Sequence, residues 1–326
     1  MFYSSTQRKF WTFSSEDELR KLRCQANQDI RQKHEASGKD CSKLLTPDEE
    51  LMVCQYYHNR LREFCVKFQP PMPKSVMASA SSYFKRVYLQ NSVMEHHPKI
   101  IMLTCVYMAC KVEEFNVSIM QFVGNIRARS EERERAVDII LNNELQLLQL
   151  LNFHLTVHNP IRPLEGLLID MKTRHRSAEE VETLRRWAEE YLDKSFLSDA
   201  CLLFPPSQVA LAALWHSGNT VGMDVLSYVH HCLGKNGDGA DQTLLMNQIK
   251  KVQEVVGNVP QLDASLVEEA KAKLAAVGSL EVTHDSQGTK RKQGTEQQGK
   301  QAGKKKAKQA KSAQEDGGLL SLSSLE

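Results

Sequence analysis

The chain has 326 residues, enough for a full hydrophobic core and for two domains. Its apolar fraction of 41% is ordinary for a soluble protein, and its longest apolar stretch, 100–110, is too short to span a bilayer. The net charge of +2 is unevenly divided: residues 284–326 carry 9 Lys+Arg against 5 Asp+Glu, a net of +4, so 1–283 stand at −2 and a large nucleic-acid footprint on the folded part is not expected.

Near the start, Arg8, Lys9 and Trp11 stand where a secretory leader would have an apolar run, so no signal peptide is expected. The 8 cysteines are scattered with no CxxC pair, which fits a reducing cytosolic or nuclear compartment and small core residues. Helix signals then recur, and strand signals do not. Ser15-Glu16-Asp17-Glu18 reads as a capping box opening a charged helix to about His34. Thr46-Pro47-Asp48-Glu49 combines an N-cap, Pro at the first helical position and Glu at the third, and opens a helix to about Phe68. Pro70, Pro71 and Pro73 break the chain before a helix over 74–89. Pro98 starts an apolar helix ending near Glu114, a short helix is expected over 118–126, and a long one ends at Phe153.

Asn159-Pro160 and Pro163 punctuate the chain before a second set of helices. These are 162–174, a helix behind the capping box Ser177-x-x-Glu180 running to about Leu203, then 207–217, 224–233 and 244–256. A last helix is expected over 263–276. Two blocks of about five helices predict a duplicated all-α architecture, although no sequence repeat stands out. From His284 to about Asp316 the chain is Gln, Gly, Lys and Ala without apolar period, and it predicts a disordered tail. Within that tail Lys290, Arg291 and Lys292 precede Lys304, Lys305 and Lys306, a spacing that suits a two-part nuclear localisation signal.

Two helices carry a charge where apolar residues dominate. With Glu144 at the origin of a helical projection over 133–153, Val137, Ile140, Leu141, Leu147, Leu148 and Leu151 share its arc. Over 99–112 the helix is apolar on all sides and has one charge past its first turn, Lys111. Charges on core-facing arcs are unusual unless paired. Either Lys111 and Glu144 pair inside the fold, or they face a protein partner that pairs them. Glu113 and Glu114 sit at a helix C-terminus, where acids oppose the macrodipole, so something outside that helix is expected to account for them.

Enzymatic signatures are missing. No GxGxxG or Walker loop is present, and Gly234 to Gly239 lacks the GK[ST] ending and, with Ala240, a calcium loop's ligands. His154 and His158 flank a helix end with no third ligand nearby, and no nucleophile motif occurs. The chain reads as a binding protein, with no catalytic residue, cofactor or metal expected.

The segment ACKVEEFNV (109–117) resembles the K-x-E-E segment that closes the third helix of the cyclin box, and LLNFHL (150–155) resembles its fifth helix. QRKFWTFSSEDELRKLR (7–23), SYFKRVYLQNSVMEHHPKIIMLTC (82–105) and LNFHLTVHNPIRPLEGLLIDMKTR (151–174) resemble most closely the cyclins of the CDK-activating kinase. The resemblance covers about 3–260 and is strongest over 70–175. It implies an amino-terminal arm and helix (1–45), a first cyclin box (46–159), a second (160–260), a C-terminal helix (261–283) and a disordered basic tail (284–326). It implies that Lys111 and Glu144 contact a cyclin-dependent kinase near its αC helix, with Glu113, Glu114, Phe115 and Leu148 as neighbours on that face. It further implies a nuclear, regulatory role with the kinase catalytic subunit, a RING-finger assembly subunit and the TFIIH core as partners. The substrates of that complex are CDK activation loops and the RNA polymerase II C-terminal repeats. Direct sequence-specific nucleic-acid binding and membrane binding are not expected. The alternatives are a cyclin-fold transcription-initiation factor, which would call for a basic folded face, or a scaffold that activates no kinase.

Overall fold

The computed structural model describes residues 2–38, 40–174, 178–225, 227–229 and 239–288, and all regular structure among them is helical. Short helix α1 (Thr6–Phe10) leads into α2 (Glu16–Ala36). Ser15 caps α2 by accepting the Glu18 N–H, but the Glu18 carboxylate reaches back to Ser14 rather than to Ser15, so the expected capping box closes one residue early. In α3 (Pro47–Lys67) the box at Thr46 and Glu49 is complete in both directions. Then follow α4 (Lys74–Gln90), α5 (Pro98–Val112), α6 (Ile119–Gly124) and α7 (Ser130–Leu150).

The second block comprises α8 (Ile161–Arg174), α9 (Ala178–Leu197), α10 (Ala200–Leu203), α11 (Pro206–Val221) and α12 (Gly239–Gly257). The single helix expected to run to Leu203 is two: α9 stops at Leu197, and Asp199 begins the short α10. Ser177 of the expected capping box, half of the expected helix 224–233 and residues 234–238 of the Gly-rich turn lie outside the described residues. The last helix, α13 (Ala264–Gly288), continues past the expected end at Ala276. Leu274 and Val277 are buried, and α13 packs on α3, where Lys271 stands over the Tyr56 ring at 4.7 Å.

Duplication is visible in the packing. Helix α5 packs on α3, α4 and α7, and α11 packs on α8, α9 and α12, so each central helix touches the first, second and last helix of its block. Both start with Pro inside the first turn and are strongly apolar. Residues 101–110 are all buried, as an apolar helix in the middle of a bundle must be. Each large aliphatic side chain enclosed this way stabilises the fold by about 1.5–3 kcal/mol relative to exposure.

The amino-terminal arm fastens one block to the other. Trp11 is buried against Leu19, Leu89 and Leu202. The Phe13 N–H donates to the Leu202 carbonyl at 2.8 Å, and Arg23 makes a two-pronged ion pair with Asp199, both contacts 2.8 Å. Gln7 donates to the His158 carbonyl at 3.1 Å and accepts the His158 N–H at 2.6 Å. None of these contacts of α1 and α2 with α4, with the linker at His158 and with the second block follows from helical periodicity.

Candidate functional site

The two misplaced charges meet. Lys111 Nζ lies 2.5 Å from Glu144 Oε1, so α5 and α7 are joined at the surface by an ion pair. The Lys111 side chain is 46% exposed and that of Glu144 is 19% exposed. Lys111 also stands 4.6 Å over the Tyr107 ring, one helical turn back. Its place in the last turn of α5 suits the helix dipole. The pairing is thus within the chain but outside its core.

Glu144 marks a boundary on α7. Ile140, Leu147 and Leu151 face the core and are buried. Leu141 and Leu145 are exposed, Leu145 by 60%, and Leu148 is half-buried. Leu141, Leu145 and Leu148 are spaced by four and three residues and form an apolar strip beside the ion pair. Beyond the helix end, Phe153 is 62% exposed.

Both helices end in the same device. On α5 the Glu114 N–H donates to the Lys111 carbonyl and the Phe115 N–H to that of Cys110. On α7 the Asn152 N–H donates to Gln149 and the Phe153 N–H to Leu148. These are Schellman motifs, which place the residue after the cap in the left-handed region. That residue is usually Gly, yet here it is Glu114 (φ 57°) and Asn152 (φ 50°), followed by Phe153 at φ 59°. A bulky residue with positive φ is strained and persists only where its surroundings hold it. The flanking segment is held firmly. The His154 carbonyl accepts from Arg86 Nη1 at 2.9 Å, and the Leu155 carbonyl accepts from the Tyr83 hydroxyl at 2.6 Å. The His154 ring stacks on Phe10 at 4.8 Å and accepts from Trp11 Nε1 at 3.1 Å. Arg86 is itself buried, which pushes its guanidinium down to about 10, and it sits over the Trp11 ring at 5.3 Å. The amino-terminal arm thereby fixes where Phe153 projects.

The remaining candidates divide. Glu113 accepts the Ser79 hydroxyl of α4 at 2.5 Å, an intramolecular partner for an acid that opposes the α5 dipole. Glu114 is exposed at the left-handed position. Phe115 is half-buried with its ring edge-on to Phe68, at 6.3 Å between centroids, so one side of it is committed to the core. Lys290, Arg291, Lys292, Lys304, Lys305 and Lys306 lie outside the described residues. His154 and His158 bond within the chain as given above, and no cluster of three or more His, Cys, Asp or Glu suited to a metal exists among the described residues. No described helix is long and apolar enough to cross a membrane. Leu145 and Phe153 are exposed apolar residues that helical projection does not single out. Leu145 falls off the Glu144 arc, and Phe153 lies past the point where the helical period stops.

The family model described as "Cyclin, N-terminal domain" matches residues 28–156, and that described as "Cyclin C-terminal domain" matches 159–257. The chain is 47% identical over 295 residues to Cyclin-H of Xenopus laevis, covering 90% of this chain and 91% of that protein. It is 37% identical over 230 residues to Cyclin-H1-1 of Arabidopsis thaliana, covering 68% and 66%. Its fold is similar to a chain in the CAK complex of Chaetomium thermophilum bound to ATP-gamma-S, with a TM-score of 0.73 and 22% identity over 91% of this chain and 98% of that one. It is also similar in fold to a chain of the yeast TFIIK complex, with a TM-score of 0.62 and 23% identity over 78% and 99%. The two matched halves define a double-box cyclin, and the chain belongs to the cyclin H family.

Proposed function

We propose that this chain is the regulatory subunit that binds and activates a cyclin-dependent kinase of the CDK-activating type, and that the Lys111–Glu144 face is where the kinase docks. Family membership supports the first part. One observation carries the second: an exposed ion pair joins the last turn of α5 to α7, with Leu141 and Leu145 exposed on the same stretch of α7 and an exposed Phe153 with positive φ just past its end. Exposed apolar side chains gathered around a charge pair have the make-up of a protein interface, with an apolar part for affinity and charges for register.

The mechanism follows from the kinase side. A kinase is active when the Lys of its third strand pairs with the Glu of its αC helix and its activation loop is open. A ligand shifts such an equilibrium only by binding the active state better. The face built by α5 and α7 is rigid, because residues 101–110 of α5 are buried and both helix ends are closed by Schellman motifs. Packed on αC, it would favour the inward position without contributing a catalytic group. The chain is therefore a non-enzymatic subunit, with a RING-finger assembly subunit and the TFIIH core as further partners of the complex. The paired basic clusters of the tail, at 290–292 and 304–306, support nuclear residence.

The test is reconstitution of the full-length chain with a CDK-activating kinase catalytic subunit, read as phosphorylation of an activation-loop peptide. Stimulation with chain present supports the proposal. A complex that forms without stimulation would leave a scaffold in its place.

A further inference from the structure

A cavity of about 200 Å³ lies where α2, α3, α4, the α9–α10 junction and the end of α12 converge, remote from the α5–α7 face in the chain. Two of the residues that line it, His58 on α3 and Lys85 on α4, have buried nitrogens, Nε2 and Nζ, with no hydrogen-bond partner. His58 is only 4% exposed. Buried polar atoms left without partners are uncommon and costly, so two beside one cavity call for an explanation.

Apart from Glu16 at the exposed rim, the other charged groups here are already engaged. Arg23 and Asp199 hold each other through two contacts of 2.8 Å. The Glu50 carboxylate accepts from Asn27 at 2.9 Å and from Ser92 at 2.6 Å. Lys85 is the cation left over among the described residues lining the cavity. Burial, together with the charge of Lys85, holds the His58 imidazole well below its ordinary value, so it stays neutral and offers a donor in its Nε2–H tautomer. Phe84, Tyr88, Leu197 and Val255 supply an apolar wall, while Glu16, Asn258 and Pro260 at the rim are exposed. An ammonium beside a neutral donor is complementary to a carboxylate, and the apolar wall suits a short hydrocarbon stem.

We propose that this cavity is a binding site for a carboxylate on a short apolar stem, with the oxyanion received by Lys85 and His58 and the stem lying along Phe84, Tyr88 and Leu197. The carboxylate comes either from a free small organic acid or from an acidic side chain of a protein. The site is independent of the kinase-docking proposal.

The experiment uses the full chain and two probes, benzoate and an acetylated Phe-Glu-Leu amide, titrated by amide NMR shifts, with benzamide as the uncharged control. Benzoate or the peptide should shift amides around His58 and Lys85, benzamide should not, and Lys85→Met should weaken binding at least tenfold. Loss of Lys85 removes a buried unpaired charge, so this variant is expected to fold, with thermal melting as the check. A second variant, Leu197→Trp, fills the wall and should also block binding while keeping Lys85. Tighter binding of benzoate assigns the carboxylate to a free acid, and tighter binding of the peptide assigns it to a protein. Equal response to benzoate and benzamide, unchanged binding in Lys85→Met, or no response to either acid at millimolar concentration would overturn the site and indicate a cavity filled by water only.

Discussion

Replacing Lys111 and Glu144 by Ala, singly and together, separates a structural ion pair from a docking one. In the free chain the pair is partly exposed, at 46% and 19% for the two side chains. Pairs of that kind contribute about 0–1 kcal/mol, so each variant should melt close to the wild type. Lys111→Ala also loses the contact with Tyr107, which adds about 0.5–1 kcal/mol at an exposed site. Burial under a kinase changes the balance. Removing one member of a desolvated pair strands the other and costs roughly 3–5 kcal/mol. At 1.4 kcal/mol per tenfold, that is about two to three and a half orders of magnitude in affinity. The double variant leaves no stranded charge, so it should bind better than the sum of the single losses predicts. The assay is a titration of each variant into a fixed amount of kinase subunit, with half-maximal stimulation as the readout and thermal melting alongside. Unchanged half-maximal concentrations would refute the docking role. A fall in melting temperature that matches the loss of stimulation would instead make the pair a structural clasp.

Phe153→Gly should raise the stability of the free chain by about 1 kcal/mol, because Gly relieves the positive φ, yet weaken kinase stimulation through loss of an exposed aromatic; melting and stimulation measured on one preparation check both signs. The His97 imidazole caps α5 by accepting the Lys99 N–H, and burial, with the Lys99 charge, pushes it down to about 4. The unfolded chain therefore binds a proton that the folded one does not, so stability falls as the pH drops from about 6.5 to 4 and is flat above that window. His97→Asn, which keeps a capping oxygen, should remove roughly 3 kcal/mol of that slope in denaturant titrations. Gly218→Ala on α11 should destabilise by about 1–3 kcal/mol in the same titrations. Its Cβ would lie 2.3 Å from the Val225 Cγ2 and 2.9 Å from the Met223 carbonyl, a backbone atom with little room to yield.

Local chemistry determined much of this fold. Capping residues, prolines and apolar period set the starts of α3, α5 and α7 to within a few residues, because each signal is a property of one turn of helix. The same period singled out Lys111 and Glu144, since a charge on an apolar arc is visible without coordinates. Tertiary structure decided what those charges do in the free chain. They lie 33 positions apart and become partners only because α5 and α7 pack side by side. It also decided that Glu113 has Ser79 to bond, that Leu145 lies exposed while Leu147 is buried, and that Phe153 leaves the helix with positive φ. The arm contacts of Trp11 and Arg23 with the second half, that of Gln7 with the linker at His158, and the cavity lined in part by Arg23 and Asp199 arise the same way. Helical periodicity reports which face of one segment is apolar; which segment covers that face depends on long-range packing, and packing free energy belongs to the pair rather than to either sequence.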